Sequence, residues 1–407
     1  MRDVYRRPYI QQPKKSKGKG LKVILGLLLI AGVIGAFLFF SNNGGVPLVS
    51  KEPPKPKKVR VEGRYLFNGT VVWARYMEQW STKADGTLDY AYPFSGLAGF
   101  DRSKYDAWTA DLECASSATE QVPIARAASE LIFNCRPEFL AEAAKYFDFF
   151  NLANNHTHDL GETGFEETKK NLEANGITPY GNFEPGELGD ICKVVPMPVR
   201  VISELDGKES AADASLPVAL CAWHYFFRLP LEGEIETMKQ YADVMPVFAF
   251  LQAGVEYRAK ADDIQKFMAH KIVDQGPEFL VANSAHWVQD GEVYKGKPIL
   301  YSTGNFIFDQ QSNAEVTRSA SLDASLSIPY SKDVQKWLDL GTACKTEGGD
   351  CFAKVQQKDL AKPKTSLTYE LVAGDNSNKL TKRADATLQQ AVETRVGWPE
   401  LKAALGQ

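Results

Sequence analysis

The stretch FNLANNHTHDLGETGFEETKKNLEANG, Phe150 to Gly176, runs from an apolar strand-like segment directly into amides and imidazoles. It holds His156 and His158, two of the chain's five histidines, with Asn154 and Asn155 before them and Asp159 after. Imidazole nitrogens and carboxamide oxygens are ligands for a divalent cation, and an acid three residues beyond a histidine can orient its ring for proton transfer. His156 is thus a candidate metal ligand and general acid, with Asp159 as its partner. The competing reading is an imidazole bonded to strand-end backbone. His158 reads as a surface neighbour. Similar polar groups close other apolar segments: Asp111 and Glu113 in ADLE, Gln252 in QAGVEY, Ser284 and His286 in VANSAHWVQ, and Asn305 in YSTGNFIFD.

The segments that must position these groups alternate in period. RYLFNGTVVWAR, YDAWTADLE and DFFNLANN read as strands, whereas PEFLAEAAKYF and GETGFEETKKNLEANG carry apolar residues at helical spacing, the second closed by Gly176. Farther on, EIETMKQYADVMPVFAFLQAG and DDIQKFMAHKIVDQGPEFLVANSAH each read as helix then strand. This alternation predicts a layered α/β fold with its chemistry at strand C-terminal ends, and every polar cluster falls at such an end. The chain divides into a basic segment at 1–22, an apolar run at 23–40, a Pro/Lys-rich linker at 41–62, a main domain at 63–330 and an extension at 331–407 expected to pack on that domain.

Charge narrows the class of partner. Residues 1–60 hold 13 Lys/Arg against 2 acids, so the net charge of −4 leaves the remainder at −15. An acidic body argues against nucleic acid, because phosphate contacts need a basic face. The basic flank precedes VILGLLLIAGVIGAFLFF, Val23 to Phe40, whose uncharged apolar residues would span about 27 Å as a helix. This predicts a single transmembrane helix with the N-terminus cytoplasmic and the body extracytoplasmic. A cleaved signal is the alternative, although no small-x-small site follows the apolar run. The six cysteines, none in a CxxC pair, suit disulfides better than a zinc ribbon. Nearest-neighbour pairing gives Cys114–Cys135, Cys192–Cys221 and Cys344–Cys351, one choice among about 15 connectivities; buried free thiols are the other reading.

Taken in order, the clusters are similar to a known family. NLANNHTHDLGETGFEETKKNLEANGI resembles the signature of the CapA family of capsule and poly-γ-glutamate biosynthesis, and the resemblance spans residues 64–310. ADLE resembles the family's Asn-Leu-Glu, QAGVEY its His-Trp-Gly-x-Glu-Tyr, VANSAHWVQ its Gly-His-His-Pro-His-Val-x-Gln, and YSTGNFIFD its Tyr-Ser-Leu-Gly-Asn-Phe-x-Phe-Asp. NGTVVWAR stands where the family has a Gly-Asp turn followed by Arg, which makes Arg75 a candidate contact for a substrate anion, with a buried structural salt bridge as the equal alternative. The resemblance implies the four-layer α-β-β-α sandwich of calcineurin-like metallophosphoesterases and a divalent-metal site (Mn, Zn or Mg). Its ligands map to Glu113, Asn155, His156 and His286, with His156, Asp159 and Asn305 as the catalytic set. Trp287, beside His286, would line a substrate groove.

The departures from the family pattern fall on the chemistry. The first-turn aspartate is Thr70, the histidine of QAGVEY is Gln252, and the first of the His-Pro-His pair is Ser284. Two divalent ions about 3.5–4 Å apart repel by about 18 kcal/mol at an effective dielectric of about 20. A neutral threonine in place of the bridging aspartate offsets none of that repulsion. At most one ion is therefore expected, with none an equal alternative. Two functions follow. One is a membrane-anchored protein that binds an anionic envelope polymer or capsule-synthesis proteins without turnover. The other is a single-metal hydrolase or transferase acting on such a polymer or a phosphoester.

Overall fold

A computed structural model describes residues 54–407, apart from Gln121 and Glu187. The basic segment at 1–22, the apolar run at 23–40 and most of the linker lie outside the described residues. Among those described, no helix is long and apolar enough to cross a membrane. Residues Pro56–Gln407 form one compact unit.

The organising element is β1 (Lys57–Val71), in which successive side chains serve different cores. Val61, Tyr65 and Phe67 enter one apolar cluster, while Leu66 enters another with Trp108 and Phe306. The strand begins inside the linker expected at 41–62. VRVEG continues the alternation of RYLF, and the lysines that suggest a solvated tether lie at the exposed start of the strand.

Three short strands follow, β2 (Ala107–Leu112), β3 (Phe149–Asn151) and β4 (Thr178–Tyr180), parallel to one another and joined through β2 to the second half of β1. The long hairpin of β5 (Cys192–Leu205) and β6 (Lys208–His224) lies against the first half of β1 and continues into the parallel strands β7 (Val247–Ala253) and β8 (Phe279–Ser284). The strands β9 (Gly291–Tyr294) and β10 (Lys297–Leu300) close that edge, and β11 (Asn305–Ile307) returns to the end of β1. Antiparallel to β1 runs β12 (Arg318–Pro329), extended by β13 (Ser366–Asp375) and β14 (Lys382–Arg383).

β1 pairs with four strands because it changes neighbours along its length. On one edge β5 accompanies it as far as Glu62 and β2 from Tyr65; on the other, β12 as far as Phe67 and β11 from Thr70. The sheet divides there and packs on itself. Phe67 of β1 meets Phe279 of β8 at 4.7 Å and Phe248 of β7 at 5.5 Å between ring centroids, although neither strand is its neighbour in the sheet. The result is a mixed α/β sandwich. Helix α1 (Gly161–Ala174) buries Phe165 and Leu172 in one cluster, and α2 (Asp263–Val273) buries Met268, Ala269 and Ile272 in the other. The side chain of Asp262 starts α2 by accepting from the Gln265 amide at 2.8 Å. In the C-terminal stretch α3 (Lys332–Glu347) lies on the β5–β6 hairpin and α4 (Ala386–Val396) on β13, so residues 331–407 share the sheet of the main domain. Disulfides join Cys114 to Cys135, Cys192 to Cys221 and Cys344 to Cys351.

The meeting of β1 and β11 requires a glycine. A Cβ on Gly69 would stand 2.1 Å from the Gly304 carbonyl oxygen, which accepts the Thr70 amide at 3.0 Å. Gly69→Ala is expected to destabilise the protein by roughly 1–3 kcal/mol, as overpacking against rigid backbone does. Denaturant unfolding measures this, and an unchanged midpoint would refute the close approach.

Candidate functional site

Strand ends converge at one edge of the sandwich. β1 brings Thr70, and β2 brings Asp111 with Glu113 just past its end. The turn after β3 supplies Asn154, Asn155 and His156, while β7 supplies Gln252. β8 ends on Ser284 with His286 two residues on, and β11 starts with Asn305. Parallel register places Thr70 beside Asp111 on one side and Asn305 on the other.

Asp111 centres a buried network. Its carboxyl accepts from Asn151 Nδ2 at 2.9 Å and Asn154 Nδ2 at 3.0 Å, and Thr70 Oγ1 lies 3.5 Å away. Burial pushes its pKa up to about 8, the Glu113 charge adds to the shift, and the donors offset it only in part. Asp111 is therefore mostly neutral at pH 7. Burial also pushes Glu113 up to about 7, against the pull of His156 and Arg75. Glu113 Oε2 is buried with no hydrogen-bond partner among the described residues.

Each histidine is held by one ring nitrogen. His286 Nδ1 bonds Asn305 Oδ1 at 2.9 Å, so in the neutral ring Nδ1 donates and Nε2 keeps its lone pair. That Nε2 stands 3.8 Å from carboxylate oxygens of both Glu113 and Glu256. Burial lowers the His286 pKa, and the Asn305 bond offsets part of the shift. His156 Nδ1 lies 2.8 Å from Asp159 Oδ2, which also accepts the Phe133 amide at 2.7 Å, and the imidazole stacks on Phe133 at 4.0 Å. Asp159 and Asn305 are thus positioning residues for the two rings.

Two expected roles are taken up by protein partners. Arg75 forks onto Asp309, which also accepts the Tyr76 amide at 3.1 Å. Asp309 is buried and would otherwise carry an unpaired charge, which fits the salt-bridge reading of Arg75. Asn155, expected as a ligand, faces Gln252. Gln252 Nε2 donates to Asn155 Oδ1, and the Asn155 amide donates to Gln252 Oε1 at 3.2 Å. The glutamine that stands for a histidine therefore caps its neighbour's oxygen. Trp287 lies beyond the cluster against Tyr257, with its indole N–H buried and unpaired. His158 is outside the cluster, stacked on Phe183.

These residues do not fit a two-metal centre. Thr70 is neutral, Asp111 is engaged by amide donors, and Asn155 is capped. Among the described residues no three His, Cys, Asp or Glu side chains converge closely enough to hold an ion. Sequence reasoning misses Asn151, Glu256 and Asp309 as participants. Glu256 lies inside QAGVEY and Asp309 closes YSTGNFIFD, so motif position is a signal for both; Asn151, within β3, has none.

Comparison with known proteins places this geometry. The profile of the bacterial capsule synthesis protein PGA_cap family matches residues 64–310. The chain belongs to this family. It is similar to the PGA biosynthesis protein CapA of Bacillus subtilis, at 28% identity over 254 residues, covering 60% of this chain and 63% of the relative. It is also similar to the capsule biosynthesis protein CapA of Bacillus anthracis, at 28% over 173 residues, 40% of this chain and 41% of the relative. The chain thus spans less than two thirds of either relative's length. The PGA_cap match contains the whole cluster from Thr70 to Asn305 and ends before β12, leaving β13, α3 and α4 outside it.

Asp111 makes the stability of this PGA_cap member depend on pH. An acid raised by folding from 3.8 to about 8 contributes fully below its unfolded pKa, and the contribution is lost as pH rises toward about 8. Wild type is expected to lose Tm steadily between about pH 5 and pH 8, and Asp111→Asn to lose less. Calorimetry across that range measures both slopes; equal slopes would remove Asp111 from the account.

Proposed function

We propose that this protein is an N-terminally anchored, extracytoplasmic CapA-like component of capsule or cell-envelope polymer biosynthesis. Its strand-end cluster binds an anionic polymer of the poly-γ-glutamate kind, or the proteins that make it, without two-metal turnover. Family membership supports the polymer class. The apolar run at 23–40 behind a basic flank supports the anchor. The division of the sheet along β1, with helices in both apolar clusters, supports the four-layer metallophosphoesterase-like arrangement.

The observation that carries the loss of turnover is the reciprocal Gln252–Asn155 pair. It occupies a ligand oxygen with an amide donor, while Thr70 supplies no anion to hold two cations together. What remains suits binding. Burial pushes Asp111 toward its neutral form, so it adds less negative charge to the cluster than an ordinary carboxylate. A second reading, one ion serving a hydrolase or transferase, is favoured by Glu113, whose Oε2 has no partner among the described residues while its Oε1 lies 3.8 Å from His286 Nε2.

Calorimetric titration of the full-length protein with Mn²⁺ and Zn²⁺, with an assay on a generic phosphoester, separates the two. The proposal expects no stoichiometric ion and no ester cleavage. Stoichiometric binding that disappears in His286→Ala would establish the second reading instead. The triple variant Thr70→Asp, Gln252→His, Ser284→His restores an anion and releases Asn155, so it is expected to gain Mn²⁺ binding. If it gains none, the assignment of these positions to a former metal site is wrong.

A further inference from the structure

We propose that the segment Phe133–Cys135 is a positioning strap that seats His156 and Arg75 on the ring of Phe133, and that the seat is complete only when Cys114 and Cys135 are joined. The Phe133 ring is buried. It takes the His156 imidazole, stacked at 4.0 Å, and the Arg75 guanidinium at 4.1 Å from the same centroid. The same residue fixes the imidazole in a second way. Its amide donates to Asp159 Oδ2 at 2.7 Å, and that oxygen also accepts from His156 Nδ1 at 2.8 Å. One contact sets the plane of the imidazole and the other its rotation, so the direction of Nε2 is determined. His156 and Arg75 are also basic groups whose fields reach the Glu113 carboxylate. Phe133 thus holds both at a set place relative to that acid.

Phe133 is held in turn by the residues that follow Glu113. The Glu113 amide donates to Val71 O at 3.0 Å, which fixes this part of the chain to the end of β1. The Ala115 amide then donates to Phe133 O at 3.1 Å and the Cys135 amide to Ala115 O at 2.8 Å, with the Cys114–Cys135 disulfide alongside. Trp73, two residues before Arg75, donates its amide to Cys135 Sγ at 3.2 Å. The intervening chain gives little support. Residues 122–131 are mostly exposed, and of the short helix Ile124–Glu130 only Ala127 is buried. The chain enters the strap through Leu131, exposed and at φ 55°, a conformation that a leucine released from constraint leaves. The strap is therefore held from its Cys135 end. Joining the cysteines oxidises two thiols; an external disulfide takes up their two electrons and two protons and leaves as two thiols. Both sulfurs are then buried, out of reach of an attacking thiolate, so the step assembles the seat and does not toggle it.

The inference holds for either reading of the cluster, and its test needs no ligand. Full-length protein carrying isotope-labelled histidine is followed by NMR. The His156 Nδ1 proton, shared with a carboxylate, gives a downfield signal that is assigned by its absence in His156→Gln. The double variant Cys114→Ser, Cys135→Ser is expected to lose this signal. Cys344→Ser, Cys351→Ser opens a disulfide in the C-terminal stretch instead and is expected to keep it. Phe133→Leu keeps the amide and an apolar side chain but removes the stacked face, and the same proton is expected to exchange with water about tenfold faster. A signal that survives without Cys114 and Cys135, or that both double variants lose equally, overturns the role of the disulfide. So does a Cys114→Ser, Cys135→Ser protein that does not fold, because the bond is then a requirement of the whole fold. Unchanged exchange in Phe133→Leu overturns the seat.

Discussion

A strand has one hydrogen-bonding edge on each side, and the fold depends on how β1 divides its two edges among four partners. Between Glu62 and Tyr65 it exchanges β5 for β2, and between Phe67 and Thr70 it exchanges β12 for β11. The first exchange opens the sheet into two layers. The second brings Asn305 level with Thr70 while Asp111 is already level on the other edge. Side chains alternate along a strand, so a slip of one residue would turn Thr70 away from both. Gly69 is what lets the chains approach closely enough for the exchange, because the Gly304 carbonyl occupies the space a Cβ would need.

The same junction sets the electrostatics. Leaving a buried acceptor unpaired costs about 1–3 kcal/mol, and Asp111 avoids most of that cost through Asn151 and Asn154. A metal centre instead needs anionic donors with lone pairs left free for the ion. The substitutions are consistent with one another in this respect. Thr70 removes an anion from the middle of the cluster, Gln252 adds a donor that turns to Asn155, and burial keeps Asp111 near neutrality. Glu113 departs from the pattern, with one oxygen unsatisfied at the mouth of an otherwise closed network.

Much of this was legible in the sequence because the informative residues sit where a hydrophobic strand stops. The change from apolar run to amides and imidazoles marks the ends of β1, β3, β7 and β8 without any knowledge of pairing. What cannot be read there is which polar groups satisfy one another. Arg75 and Asp309 are 234 positions apart, and only the return of the chain next to β1 shows that the two pair. The Gln252–Asn155 pair is hidden for the same reason, as its members are 97 positions apart. The start of β1 is obscured by composition. Lysine and proline dominate 51–58, and the alternation that extends the strand back to Lys57 is carried by few apolar positions.

Strand direction finally constrains how a ligand can reach the cluster. The chain enters the compact body at Lys57, which pairs with Glu204 beside the tip of the β5–β6 hairpin. The cluster lies at the other end of β1, roughly 43 Å along an extended strand. Because β2, β3, β7 and β8 run parallel, their C-terminal ends all lie on that same far side. The cluster therefore lies on the side opposite the entry of the chain into β1.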